Sequence, residues 1–183
     1  MEYCEWNRRW RWRDATPVPV TDPLYAWLAS RDSLTSRLGA ICEELRVVVH
    51  RSGFARVLPD ELGLLSPTSQ RSRTLVREVS LVCDNVPLVF GHSILLSAKH
   101  GALARSFGRR GNDPLGAILF ANADIRRGAI YFRRIERRHP LYDKSRECLG
   151  DNPFFWARRS VFASSAERIC VTEVFSPLLP TFS

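Results

Sequence analysis

Hydrophobic positions recur along this chain at two spacings, and each change of spacing marks an element. Leu24, Trp27 and Leu28 fall on one face of a short helix. Asp22-Pro23 opens it, because aspartate caps a first turn and proline suits the first helical position. Asp32-Ser33 gives a second start, with Leu34, Leu38 and Ile41 spaced for burial. From Leu45 the pattern becomes that of strands: Arg46-Val47-Val48-Val49 is β-branched, and Ser52-Gly53 predicts a turn before a run from Phe54 to Leu58. Asp60 to Ser69 reads as a loop. Thr74 to Cys83 and Val86 to Leu95 are two further strands, joined by Asp84-Asn85, residue types that tolerate the positive backbone angles of a two-residue hairpin turn.

Ser97 to Phe107 is helical in pattern, Gly108 to Asn112 a loop, and Asp113-Pro114 a helix start ahead of Leu115 to Phe120. Ala129 to Ile135 predicts a strand. Glu136 to Pro153 is polar and broken by prolines, which predicts an excursion from the sheet. Arg158 to Ala163 and Arg168 to Ser176 make a second hairpin-like pair. Strands outnumber helices and hairpins outnumber crossovers, so the class is α+β, an antiparallel sheet with helices packed on it. Residues 1–20, ending in the Pro17 and Pro19 alternation, read as an irregular basic and aromatic arm, and residues 21–183 as one domain.

Strand alternation isolates two charges. Leu75, Arg77, Val79, Leu81 and Cys83 share one face, and Ile169, Val171, Glu173 and Phe175 share another. An ion in such a row costs several kcal/mol (of order 3–5) unless a partner offsets it. Two readings follow: Arg77 and Glu173 pair with each other or face solvent, or they line a dry pocket. In the second case Arg77 grips a carboxylate with its fork while Glu173 handles a hydroxyl or a proton. Glu78 points the other way and reads as a solvated or cross-strand charge, and His92 as a satisfied core histidine ahead of a catalytic base. His50, His100 and His139 have no partner at recognisable spacing.

Composition narrows the classes without choosing one. The 183 residues, 45% hydrophobic and 25% charged, suit a single globular core. No apolar run approaches the roughly 20 residues of a membrane span. Met1 to Arg13 is charged and aromatic where a signal peptide needs an apolar run, so a cytoplasmic location is expected. Cys4, Cys42, Cys83, Cys148 and Cys170 are scattered without metal-ligand spacing, which argues against zinc and a disulfide framework and predicts buried free thiols at Cys83 and Cys170. The net charge of +8 is arginine-rich, concentrated at Arg8 to Arg13 and again at Arg126, Arg127, Arg133, Arg134, Arg137 and Arg138. That field suits nucleic acid, an acidic membrane surface or a small polyanion. Trp6, Trp10 and Trp12 would stack on bases, but no nucleic-acid-binding signature accompanies them. Neither a nucleophile elbow nor a glycine-rich phosphate loop is present.

Ordered fragments then carry a resemblance: Trp27-Leu28 with Asp32-Ser33-Leu34-Thr35; Val76-Arg77-Glu78-Val79; Pro114-Leu115-Gly116 with Leu119-Phe120; Trp156-Ala157-Arg158-Arg159-Ser160; and Val171-Thr172-Glu173-Val174-Phe175 with Pro177 and Pro180. Over roughly residues 22–180 the chain resembles the chorismate lyase family. The resemblance implies a single antiparallel sheet of about six strands, with helices and flap segments closing over an internal site. It implies an enzyme without metal or organic cofactor that eliminates pyruvate from chorismate to leave 4-hydroxybenzoate, the entry to ubiquinone synthesis. Arg77 matches the arginine that holds the ligand carboxylate, Glu173 the catalytic glutamate, and Leu34 and Leu115 the flap residues against the aromatic ring. The expected partners are chorismate and 4-hydroxybenzoate, without nucleic acid or stable membrane insertion, and the chain is expected to be a monomer.

The chain departs from the family pattern at His92, where an arginine often follows the glycine, at Leu34, where a methionine can stand, and in a longer, more basic stretch from Arg134 to Phe155. The competing reading is a non-catalytic aromatic-acid-binding domain, related to the ligand-sensing domains of transcription regulators. About 20 residues before the first helix are too few for a DNA-binding domain.

Overall fold

In the computed structural model, which describes residues 12–64, 74–98, 115–165 and 167–182, the strands are β1 (Leu45–Ala55), β2 (Thr74–Cys83), β3 (Val86–Ala98), β4 (Arg126–Glu136), β5 (Phe154–Ala163) and β6 (Glu167–Phe175). They form a single antiparallel sheet in the order β1-β2-β3-β6-β5-β4. The chain thus lays down two meanders, β1-β2-β3 and β4-β5-β6, and joins them along β3 and β6. Asp84 and Asn85 turn the central hairpin with φ of 48° and 70°, the left-handed pair that a type I′ turn needs. Asp84 Oδ1 also accepts the backbone N–H of Glu44 at 2.7 Å, tying the turn to the start of β1.

Among the described residues four short helices cover the sheet: α1 (Tyr25–Ala29), α2 (Leu34–Gly39), α3 (Leu115–Ala121) and α4 (Tyr142–Leu149). At five to eight residues none would persist alone. Packing holds them. On one face, Trp27, Leu28, Leu34 and Leu38 bury against Leu81, Val89 and Phe175. On the same face Leu119 of α3 meets Phe162 and Ile169. Burying each such side chain contributes roughly 1.5–3 kcal/mol. On the other face, Tyr142 and Leu149 of α4 pack with Phe90, Phe155 and Val174. The start signals act locally: Asp22 Oδ1 accepts the N–H of Leu24 at 2.8 Å, and Ser33 Oγ accepts that of Ser36 at 3.3 Å.

Several expectations are corrected. Ser52-Gly53 is no turn: β1 runs through it opposite β2, absorbing a register shift between Val49 and Arg51. The polar stretch after Glu136 leaves the sheet as expected and contains α4, whose few apolar residues give a weak helical period although Tyr142, Ser145 and Leu149 are buried. Cys83 is bonded to Cys42 rather than free, because the residues after α2 pass beside the end of β2. Cys170 is a buried free thiol, its pKa pushed up to about 12 by burial. Ile41, expected inside, is 41% exposed. Ser97 and Ala98 extend β3, and the rest of the helix expected to Phe107, with Gly108 to Pro114, lies outside the described residues. Pro59–Leu64 form a 3-10 turn in the expected loop, whose remainder, with Cys4 and His100, also lies outside them. In the arm, Trp12 is fully buried and Arg13 bridges Phe132 of β4. Among the described residues no helix is long and apolar enough to cross a membrane.

Candidate active site

Register converts strand alternation into a map of the helix-covered face. One row across the sheet reads Val79, Gly91, Glu173, Arg158, and the next reads Arg77, Ser93, Val171, Ser160. Arg77 and Glu173 therefore sit on one face in adjacent rows, from strands of different meanders. Both line a cavity of about 70 Å³ between the sheet, α2 and α3. Since roughly 10–15 Å³ of such space holds one water, the cavity suits a few waters or one compact ring.

The wall is mostly apolar. Leu34 and Leu115 stand at the first residues of α2 and α3, and Leu119, Phe120, Phe162 and Val171 add to them. Two glycines make room. A Cβ on Gly91 would lie 3.2 Å from Val79 Cγ2, so its absence opens the floor beside Glu173. A Cβ on Gly116 would lie 3.2 Å from Thr35 Oγ1, so glycine lets α3 approach α2. The charged side chains of the lining are Arg77, Arg127 and Glu173.

Glu173 does not pair with Arg77. Its carboxylate takes a fork from Arg158, Nε to Oε2 at 2.5 Å and Nη2 to Oε1 at 3.2 Å, and Arg127 Nη2 stands 3.6 Å from Oε2. Arg158 is itself fixed, donating from Nη1 to the carbonyls of Trp27 at 2.9 Å and Ser30 at 2.7 Å beyond α1. Burial alone would raise the pKa of Glu173, but the charge and hydrogen bonds of Arg158, with Arg127 behind them, outweigh it and hold the group below the ordinary carboxylate value. Glu173 is an anion at neutral pH. Such a group accepts a hydrogen bond from a hydroxyl, while an arginine beside it offers a fork to a carboxylate.

Arg158 and Arg127 are residues that sequence reasoning missed in this role. Each sits in a strand, but the approach to Glu173 depends on the β5–β6 register for Arg158 and on the β4–β5 register as well for Arg127, which no local motif records.

His92 belongs elsewhere. Glu78, His92, Thr172 and Arg159 form a row on the opposite face. His92 Nδ1 meets Glu78 Oε1 at 3.0 Å and Nε2 meets Glu61 Oε1 at 3.2 Å. Burial disfavours the imidazolium, yet Glu61 and Glu78 together raise its pKa to about 9. Lys144 also pairs with Glu78. Arg159, buried, reaches Asp60 Oδ2 at 3.0 Å, which also accepts from Trp12 Nε1 at 3.0 Å and contacts His139 at 3.2 Å. His92 is thus a satisfied core histidine and Glu78 a buried cross-strand charge. His50 finds Ser80 Oγ at 2.7 Å.

With this geometry in place, comparison with known proteins is specific. The family model described as chorismate lyase matches residues 7–182. A protein of Dechloromonas aromatica named "Probable chorismate pyruvate-lyase" is 36% identical over 94% of this chain and 97% of its own length. One of the same name from Nitrosomonas europaea is 39% identical over 89% and 93%. Among solved structures, the effector domain of PhnF from Mycobacterium smegmatis superposes with a TM-score of 0.59 at 12% identity, covering 81% of this chain and 90% of that one. The C-terminal domain of the histidine utilization repressor from Pseudomonas syringae gives 0.55 at 10% identity over 73% and 92%. At such identities these two show a shared fold.

Proposed function

Because the chain belongs to the chorismate lyase family, we propose that it eliminates pyruvate from chorismate to leave 4-hydroxybenzoate, the first committed aromatic of ubiquinone synthesis. The observation that carries this reading is the placement of Arg77 and an ionised Glu173 on the wall of one mostly apolar cavity. Arg77 grips the ring carboxylate, and Glu173 accepts the hydrogen bond of the ring hydroxyl. Leu34 and Leu115 press on the two faces of the ring and keep water out.

The reaction breaks the ether bond, removes the hydrogen from the hydroxyl-bearing carbon and aromatises the ring, which makes it strongly downhill. What remains for the protein is to orient the ring and answer its charges, so positioning and fixed electrostatics suffice. A dry cavity strengthens both. Neither step needs a metal or an organic cofactor.

The fold likeness to regulator domains favours a second reading, a non-catalytic binder of aromatic acids. One experiment separates them. Purified protein with chorismate in chelator-treated buffer is expected to release pyruvate, measured by coupled reduction, in step with 4-hydroxybenzoate. Tight binding of 4-hydroxybenzoate without pyruvate release selects the binder, and activity that appears only on adding a divalent ion sinks the metal-free mechanism.

A further inference from the structure

Arg127 is the cavity charge to which that reading gives no task. It reaches the wall from β4, just before the register shift between Arg127 and Ile130, with its side chain 7% exposed. Its fork is held on two edges. Nε donates to Ser160 Oγ at 2.9 Å, and Nη1 donates to the carbonyls of Arg31 at 3.2 Å and Ser30 at 3.4 Å. The guanidinium lies 5.2 Å over the Phe162 ring. The third edge is different: among the described residues Nη2 has the 3.6 Å approach to Glu173, beyond hydrogen-bond length. Burial pulls the pKa down to about 10, opposed by Glu173, and the group stays cationic at neutral pH.

The chemistry of the substrate class says what belongs there. Chorismate is a dianion whose second carboxylate sits on the enolpyruvyl ether, attached to the ring carbon next to the one that bears the hydroxyl. If Arg77 holds the ring carboxylate and Glu173 the hydroxyl, the ether must lie beside Glu173. That is where Arg127 stands. Arg158 already forks the Glu173 carboxylate, so Arg127 adds a positive charge beside that pair, the complement of a second carboxylate.

We infer that Arg127 binds the enolpyruvyl carboxylate through its Nη2 edge and stabilises the enolpyruvate as it departs, making the site selective for six-membered-ring dicarboxylates over monocarboxylates. This rests on the lyase reading of the same cavity. In the step it serves, the ring carbon–oxygen bond breaks with its electron pair going to the ether oxygen. The adjacent carbon–hydrogen bond then supplies the electrons that complete the aromatic ring. The released enolpyruvate takes up a proton at its methylene carbon. One dianion becomes two monoanions, with no oxidant or reductant. After cleavage the second carboxylate leaves with pyruvate, so Arg127 holds substrate and transition state but not 4-hydroxybenzoate. A residue that merely braced the Ser30–Arg31 carbonyls would show no such difference.

The test compares ligands that need no turnover. 3-(Carboxymethoxy)-4-hydroxybenzoate keeps the ring carboxylate, the hydroxyl and an ether-linked carboxylate, while 4-hydroxy-3-methoxybenzoate replaces the last with a methyl group. By titration calorimetry the unmodified protein is expected to bind the dicarboxylate at least about tenfold more tightly. Arg127→Gln should erase that preference and lower kcat/KM for chorismate by about 100-fold or more, while 4-hydroxybenzoate affinity moves by less than about threefold. Arg127→Lys, which keeps charge without the fork, should retain part of the preference and also decides the matter if the glutamine variant is unstable. Equal binding of the two ligands by unmodified protein, or a variant that loses 4-hydroxybenzoate and chorismate by the same factor, overturns the assignment. Failure of the unmodified protein to release pyruvate sinks the lyase reading instead, and the ligand comparison still decides the role of Arg127.

Discussion

Replacing Glu173 by Gln removes a charge and almost no volume from a place where two arginines converge, and the structure gives the size of the result. Arg158 is 1% exposed and Glu173 17%. Deleting one partner of a buried pair costs roughly 3–5 kcal/mol, because the other ion stays desolvated. Here Arg158 keeps the carbonyls of Trp27 and Ser30, so the lower end, about 3 kcal/mol, is expected. In a protein of this length each kcal/mol moves the thermal midpoint by roughly 2–4 °C, which puts the loss at roughly 6–12 °C. The variant therefore remains folded at assay temperature. Its turnover should fall about 100-fold or more, since a neutral amide cannot replace the carboxylate at the ring hydroxyl, and 4-hydroxybenzoate affinity should change far less. Acid provides a second readout. A carboxyl whose folded pKa is depressed stabilises the fold above its unfolded value and loses that contribution as pH falls through the folded one. Thermal midpoints of the two proteins should thus converge on acidification below the ordinary carboxylate range. A variant within about 2 °C of the parent at neutral pH, turning over chorismate normally, would refute both the pairing and the catalytic role.

Three further outcomes follow from the same contacts. Arg77→Lys, which exchanges a two-bond fork for a point charge, should weaken 4-hydroxybenzoate binding at least about tenfold with an unchanged circular dichroism spectrum, and unaltered affinity removes Arg77 from the site. His92, with its pKa raised to about 9, lends stability that is complete below its unfolded value near 6.5 and is lost as pH rises toward 9, so the thermal midpoint should fall over that window. A flat profile there would contradict a charged His92 between Glu61 and Glu78. The Cys42–Cys83 bond closes a 41-residue separation, and Cys42→Ser is expected to cost about 2–4 kcal/mol in denaturant unfolding without reductant, while identical stability to the parent with and without reductant refutes the bond.

What the sequence makes legible is whatever a strand's own period encodes. Arg77 and Glu173 each stand out as a charge in an apolar row, and Asp84-Asn85 announces its turn by residue type. Leu34 follows its Ser33 cap to the cavity wall, where Leu115 also stands. What depends on pairing between distant segments is hidden. Nothing near Glu173 says that Arg158 lies opposite it, and Arg127 reaches the cavity beside a register irregularity that breaks simple alternation. The Cys42–Cys83 contact joins residues that only the folded β2 end brings together. The helix α4 hides because its inward face includes Ser145, which bonds the carbonyl of Leu141 at 2.7 Å and so buries a polar side chain where periodicity looks for an apolar one.

The seam between the two meanders gives binding a part in assembly. Arg77 belongs to β1-β2-β3, whereas Glu173, Arg158 and Arg127 all belong to β4-β5-β6. Each meander is local in sequence and closes through hairpins, but the β3–β6 ladder joins residues about 80 apart, such as Gly91 and Glu173, and must wait for both. Either half alone carries only part of the proposed recognition chemistry. A ligand that touches Arg77 at one end and Glu173 at the other therefore acts as a staple across the last ladder to form. At a concentration 100 times its dissociation constant it holds that ladder with about 2.7 kcal/mol, so hydrogen exchange along β3 and β6 should slow first when the cavity fills.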